Sequence, residues 1–358
     1  MSREPIDGPA DASAEPSASP ARPGTVRRKP VHVSEEGLVR MSDLRPGSSL
    51  PLLAEPAVDG VDLTAWAGQN RESIESALQK SGAILFRRFG VRTVAQFEEF
   101  MLAIASPLLE YTYGSTPRTQ VKDQVYTSTE YPAHKEIPPH NEMSYARDWP
   151  MKIWFFSIEA AERGGETPIA DSRRVFARID PKVRDEFASR QVMYVRNYGE
   201  GLDVPWQKVF RTDDPRQVER FCRSAGIAWE WRDGGRLRTR EVCQAVARHP
   251  RTGEMVWFNQ AHLFHVSGLA AEEREALRES FAEEDLPRNA YYGDGAPISG
   301  AVLDEVRSAY REEAVSFPWS PGDLMMLDNM LTAHGRRPFS GSRRVVVGMA
   351  ESITTVTA

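Results

Sequence analysis

Apolar residues recur along this chain with two different periods. From residue 63 to 80 the spacing is helical and ends before Ser81-Gly82, and the apolar run Ala83-Ile84-Leu85-Phe86 predicts a strand directly afterwards. Thr93 and Gln96 carry the signature of a capping box. Phe97, Phe100, Met101 and Ile104 follow at i, i+3, i+4 and i+7, which predicts a helix with one buried stripe.

Beyond residue 125 the period shortens. Strand-like runs are expected at 125–128, 153–157, 191–198 and 227–232, the last from the alternation of Ile227, Trp229 and Trp231. Runs at 241–248 and 255–259 flank Pro250-Arg251-Thr252-Gly253 and predict a hairpin. Further strands are expected at 314–319, at 324–327 after the turn Pro321-Gly322-Asp323, and at 343–349. Helices interrupt them: Asp180-Pro181 and Asp214-Pro215 combine a cap with Pro at the first helical position, and 270–284 and 301–313 have helical composition. Many short strands with helical insertions favour a mainly β, double-sheet jelly roll over a parallel sheet.

Composition narrows the function. The 358 residues can bury a sizeable core, and a net charge of -6 argues against a nucleic-acid partner, which would call for a basic surface. No apolar run approaches the ~18 residues of a membrane span. The two cysteines, Cys222 and Cys243, form no Cys-x-x-Cys pair, so free thiols in a reducing cytoplasm are expected. Repeated Pro, Ala and Ser up to Arg27-Arg28-Lys29 predict a flexible tail over residues 1–30, and residues 31–358 are read as one domain. The tail lacks the apolar stretch of a secretory signal, and its acidic residues disfavour an organelle transit peptide.

Candidate chemistry sits in Pro138-Pro139-His140-Asn141-Glu142-Met143-Ser144-Tyr145. On an extended backbone, side chains flanking one residue point to the same side, so His140 and Glu142 could hold one metal ion. With 7 His and 51 acidic residues, about one His-x-acid triplet arises by chance, and His134-Lys135-Glu136 is a second. A third ligand must come from afar: His334 is the best candidate, with His262 and His265 as rivals. Two imidazoles and a carboxylate on one face suit ferrous iron and leave positions for a chelating co-substrate and O2.

Three further stretches complete a pattern: Gly164-Gly165-Glu166-Thr167, His334 itself, and Arg343 to Gly348. Together with His140-Asn141-Glu142 they resemble the taurine dioxygenase family of iron(II)- and 2-oxoglutarate-dependent oxygenases, over residues 84–351. The resemblance implies a double-stranded β-helix of the clavaminate synthase-like type. It implies His140, Glu142 and His334 as the Fe(II) ligands, since the family's Thr lies 27 positions after its first His, as Thr167 does after His140, and only His334 has the following Arg. It also implies that Thr167 and Arg344 bind the far carboxylate of 2-oxoglutarate, with Arg343 turned outward. O2 is then the second co-substrate.

Departures from the family pattern bear on the substrate. Gly348 stands where taurine dioxygenase has the Arg that clamps its anionic substrate, which disfavours taurine. The segments 140–145, 171–174 and 256–262 resemble SyrP-like amino-acid hydroxylases of nonribosomal peptide pathways. That resemblance implies hydroxylation of an unactivated C–H, at the β-carbon, of an amino acid that is free or tethered to a peptidyl carrier protein. Related halogenases leave the carboxylate position empty, whereas Glu142 fills it, so oxygen transfer is the expected outcome. Tyr145, Tyr198 and Asn259 are candidate substrate contacts, with core packing as the alternative for the tyrosines. Three competing readings remain open: a same-family oxygenase with a different substrate or a desaturation or cyclisation outcome, a non-catalytic jelly-roll binding protein, and a zinc hydrolase. The last would leave Thr167 and the Arg unexplained.

Overall fold

In chain order the first strands are β1 (Val39–Arg45), β2 (Ser48–Pro56), β3 (Ala83–Phe86), β4 (Gln120–Lys122), β5 (Val125–Thr127), β6 (Ile137–His140), β7 (Asp148–Glu159), β8 (Arg163–Gly164) and β9 (Ile169–Asp171). A long excursion then carries β10 (Val192–Tyr198), β11 (Ala228–Arg232), β12 (Arg236–Cys243), β13 (Val246–Arg248), β14 (Met255–Trp257) and β15 (Arg288–Tyr292). The chain returns through β16 (Leu324–Asp328), β17 (Thr332–Arg336), β18 (Phe339–Ser340) and β19 (Arg344–Thr354). This computed structural model describes residues 37–110, 118–129, 131–199 and 204–354; the expected tail, residues 1–30, lies outside them.

The strands form the jelly roll that the short-strand pattern predicted. The major sheet runs β1-β2-β3-β16-β7-β19-β5-β4, and the minor sheet β6-β17-β9 faces it, with β8 and β18 paired at one end. Each face of the major sheet is buried. Met325, Leu327, Phe155, Val345, Val347 and Met349 point inward, where they pack with Ile169 of the minor sheet. Met326, Trp154, Phe156, Val346 and Ala350 point outward, under the helix Val94–Ile104 and its Phe97, Phe100 and Met101. That helix opens with the predicted capping box of Thr93 and Gln96. The excursion folds into its own sheet, β11-β12-β10-β15, and the predicted β13-β14 hairpin.

Three expected elements differ. The helix expected at 63–80 is two, Leu63–Gln69 and Arg71–Ser81, because the Asn70 side chain donates to the Trp66 carbonyl at 2.8 Å and caps the first. The run 241–248 divides between β12 and β13, where Gln244 turns inward and donates to the carbonyls of Ser144 and Ala146. The run 314–319 is not a strand; it makes one bridge, Val315 to Ile169, while Phe317 and Trp319 fill the space between the sheets.

Candidate metal centre

The minor sheet brings together two histidines 194 positions apart in the sequence. His334 lies within β17, where it opposes His140 on β6 and Ile169 on β9, and the two imidazole centroids are 4.7 Å apart. His334 thus lies in a strand of its own, β17, just beyond the strand β16 that ends at Asp328. Phe155 of the major sheet packs on the His334 ring at 5.0 Å and closes the apolar side.

Glu142 lies two residues past β6, in a turn that Met143 completes at φ +56°. An extended backbone therefore does not align Glu142 with His140; Asn329 does. Its Oδ1 accepts the Glu142 amide at 2.7 Å, and its Nδ2 donates to the carbonyls of Glu142 at 2.9 Å and Pro150 at 2.8 Å. Asn329 is itself fixed by the β16–β17 turn, in which Asp328 Oδ1 accepts the amides of Met330 and Leu331, and Asp328 Oδ2 accepts Nε2–H of the buried His249 at 3.0 Å.

The donor atoms of His140, Glu142 and His334 all lie within 4.8 Å of one another. His140 Nδ1 must donate to the Pro138 carbonyl, 2.9 Å away, which leaves the lone pair on Nε2. Burial, and then the neighbouring His334, push His140 down to about 4, so its imidazole is neutral at ordinary pH. Burial alone would raise Glu142, but Arg118 and the two imidazoles outweigh it and hold the carboxyl well below its usual range. His334 Nδ1 is buried with no hydrogen-bond partner among the described residues, and Nε2 faces Glu142 Oε2 at 3.7 Å. Two imidazoles whose nitrogens the protein leaves available and one ionised carboxylate fit a divalent metal.

A cavity of about 30 Å³ leads from this cluster to Thr167 and Arg343. Thr167 Oγ1 accepts the Trp319 indole N–H at 3.1 Å, so its own proton is free to be donated. Arg343 donates from Nε to the Gly165 carbonyl at 2.9 Å and lies over the Phe339 ring. Burial, and then the Arg336 charge, push it down to about 10, with Glu166 opposing; it stays cationic. Gly165 (φ +73°) admits this approach, since a Cβ there would stand 3.0 Å from Arg343 Cδ, and a Cβ on Gly164 (φ +70°) would stand 2.1 Å from the Pro338 carbonyl oxygen. The Gly-Gly-x-Thr stretch is thus a close crossing of backbones that sets Thr167 beside an arginine.

That arginine is Arg343, whereas the family pattern assigned Arg344. Arg344 is exposed on the outer face, and a bulge separates its pairing with Glu159 from that of Val345 with Ser157. Strict alternation back from inward Val345 turns Arg343 to the cavity. The same parity moves the clamp position: Gly348 faces Met101 outside the sheet, and the inward residue four beyond Arg343 is Val347. No arginine stands at either position, so the argument against taurine is unchanged.

The three proposed substrate contacts lie elsewhere. Tyr145 packs against Tyr194 and Phe264, Tyr198 is buried beside Phe210, and Asn259 ties the Ala245 carbonyl to the Ala261 amide. None lines the cavity. Of the rival histidines, His134 is exposed, His265 bonds with Ser267, and His262 stacks on Tyr310 and donates to the Pro139 carbonyl at 3.1 Å. No motif in the sequence marked Arg118, whose buried guanidinium meets Glu142 Oε2 at 2.5 Å. Nor did any mark Arg336, which lines the cavity and donates to the carbonyls of Tyr131, Pro132 and Lys135. Cys222 and Cys243 are free and buried, and among the described residues no helix is long and apolar enough to cross a membrane.

Comparison with known proteins agrees with this geometry. The family described as Taurine catabolism dioxygenase TauD, TfdA family matches residues 44–350. The dapdiamide synthesis protein DdaC of Enterobacter agglomerans is 41% identical over 280 residues, covering 78% of this chain and 85% of that protein. A clavaminate synthase-like protein of Arabidopsis thaliana is 31% identical over 318 residues, covering 86% and 92%. Among solved structures, the PvcB protein of Pseudomonas aeruginosa superposes with a TM-score of 0.51 at 16% identity, covering 87% of this chain and 90% of that one, which is a likeness of fold. The chain belongs to the TauD, TfdA dioxygenase family, the iron(II)- and 2-oxoglutarate-dependent oxygenases whose motifs it carries.

Proposed function

We propose that this enzyme hydroxylates an unactivated C–H bond of an amino acid, free or tethered to a carrier protein, at the β-carbon, within the biosynthesis of a specialised metabolite. The observation that carries the oxygenase part is the two-ended cavity, with His140, Glu142 and His334 at one end and Thr167 with Arg343 at the other. That spacing of a metal-binding end and a carboxylate-binding end suits a five-carbon keto diacid that chelates through one end. The biosynthetic part is supported by the 41% identity to a protein named for dapdiamide synthesis. The amino-acid part rests on the motif resemblance and on Val347, an apolar residue where an anion clamp would stand.

In this reading His140, Glu142 and His334 hold Fe(II), and Arg343 and Thr167 hold the far carboxylate of 2-oxoglutarate. When bound, these groups supply the oxidation of a C–H bond by O2, with 2-oxoglutarate decarboxylated to succinate. Trp319 orients the Thr167 hydroxyl, and Phe155 keeps water from the His334 face. The Pro138 carbonyl fixes which nitrogen of His140 faces the metal. Mass spectrometry of reactions offered free amino acids and, separately, carrier-protein thioesters tests the reading. A gain of one oxygen atom in either set is expected; chlorination, or succinate formation that no candidate stimulates, contradicts it.

A further inference from the structure

The segment that carries His140 is loosely held by its own sheet. β6 lies at the edge of the minor sheet, and its pairing with β17 at His140 and at Ile137 is broken by a register shift between the two. Pro138 and Pro139 also deprive it of two amide donors. The excursion supplies side chains to this segment instead. Gln260 and His262 stand on one turn, where the short helix Ala261–Phe264 begins. Gln260 Nε2 donates to the Asn141 carbonyl at 2.8 Å, and His262 Nε2 donates to the Pro139 carbonyl at 3.1 Å. The two bonds bracket His140. Beyond Glu142, Gln244 of the same excursion donates to the carbonyls of Ser144 and Ala146.

Packing alone does not account for these side chains. Gln260 is 4% exposed and His262 1%, and at such burial a polar group is unfavourable unless it is hydrogen-bonded. The turn they occupy is itself fixed. Asn259 accepts the Ala261 amide at 3.0 Å, Tyr194 Oη accepts the Gln260 amide at 2.7 Å, and Arg307 donates to the His262 carbonyl at 3.0 Å. The Asn141 carbonyl also accepts the Ser144 hydroxyl at 3.0 Å and the Ser144 amide at 3.3 Å. Those two bonds lie within the ligand segment and cannot fix it against the rest of the fold.

We propose that Gln260 and His262 are positioning residues of the metal centre, a clamp from the excursion that sets the backbone of His140 and hence the direction of its Nε2. The proposal rests on the reading of His140 as a metal ligand. The bond from His140 Nδ1 to the Pro138 carbonyl fixes the ring against its own backbone, and the clamp fixes that backbone against His334. The stretch Asn259-Gln260-Ala261-His262, which supplies no group to the cavity, has this as its role.

Calorimetric titration of Mn(II) into wild type, Gln260→Met, His262→Phe, His262→Gln and Phe187→Leu, each first shown to melt cooperatively, tests the clamp. Gln260→Met and His262→Phe keep the approximate volume and lose the donor, and each should weaken Mn(II) binding about tenfold or more. His262→Gln, which restores a donor for the Pro139 carbonyl, should bind within about threefold of wild type. Phe187 packs on Trp257 and Tyr292 in the core of the excursion, away from the clamp. Phe187→Leu should therefore unfold at lower urea and keep its Mn(II) affinity within about twofold, which separates positioning from general loosening. Should either donor-less variant fail to fold, Gln260→Asn, whose donor falls one methylene short, carries the same expectation. Donor-less variants that bind Mn(II) like wild type overturn the clamp. So does His262→Gln that binds as weakly as His262→Phe, or Phe187→Leu that loses as much Mn(II) affinity as the donor-less variants. Wild type that binds no Mn(II), or His140→Ala that binds it unchanged, overturns the metal assignment and the clamp with it.

Discussion

Asn329 grips the backbone of Glu142 from both sides, accepting its amide at 2.7 Å and donating to its carbonyl at 2.9 Å. A metal ligand outside regular structure owes its position to this one fully buried side chain. Asn329→Ala should weaken Mn(II) binding by about 10 to 100-fold, the usual consequence of losing a group that orients a ligand. Leaving the Glu142 amide unpaired should also cost about 1–3 kcal/mol of stability. Calorimetry with Mn(II) and urea unfolding measure the two separately; unchanged metal affinity would show that the turn holds Glu142 without Asn329.

Arg343→Ala should raise the 2-oxoglutarate dissociation constant of the Mn(II)-loaded protein by more than tenfold. Removing one partner of a buried charge pair costs about 2–5 kcal/mol, whereas Arg344 is exposed and Arg344→Ala should have little effect. Titration of both variants decides between them, and greater sensitivity at Arg344 would restore the register that the family pattern suggested.

The one-residue difference shows what the sequence could and could not settle. His140, Glu142, Thr167 and His334 were named together through the family pattern of motifs and spacing, and the fold sets the first, second and last within 4.8 Å of one another with Thr167 lining the adjoining cavity. Arg343 and Arg344 were not separable, since Val345, Val346 and Val347 are all buried, alternately between the sheets and beneath a helix, and such a run carries no alternation. Arg118 sits outside every motif and reaches Glu142 only through the fold. Tyr145 and Tyr198 looked like pocket residues because an aromatic near a motif reads the same whether it lines a cavity or fills a core. The strand period of the jelly roll was legible; the break at Asn70 was not, as it depends on one side-chain hydrogen bond.

Gly348 is a packing residue in this structure. A Cβ there would stand 2.4 Å from Met101 Sδ and 2.6 Å from its Cε. Gly348→Ala should therefore lower stability by about 1–3 kcal/mol, the usual cost of overpacking, with 2-oxoglutarate affinity within about twofold of wild type. Chemical denaturation and 2-oxoglutarate titration read the two effects; stability intact with weakened co-substrate binding would return Gly348 to the cavity.

His262 should make the fold sensitive to acid. Burial pushes its imidazole down to about 3, so between about pH 6.5 and that value the unfolded chain takes up a proton that the folded chain refuses. Its contribution to stability is complete above that window and is lost as pH falls through it. His265, pushed down to about 4 by burial, acts in the same direction. His262→Gln keeps a donor for the Pro139 carbonyl and removes one titrating group. Its urea midpoint should fall less steeply from pH 7 to pH 5 than that of wild type, by about one proton in the linkage slope, and parallel slopes would contradict the assignment.

In the proposed function His140, Glu142 and His334 hold ferrous iron while Arg343 and Thr167 present 2-oxoglutarate to it. The most direct measurement is anaerobic addition of Fe(II) and then 2-oxoglutarate to the purified protein, followed by visible absorption. The weak charge-transfer band of a chelated ferrous keto acid is expected, appearing only when both are present and requiring far more 2-oxoglutarate in Arg343→Ala. Folded protein that binds Fe(II) and shows no such band with saturating 2-oxoglutarate would contradict it.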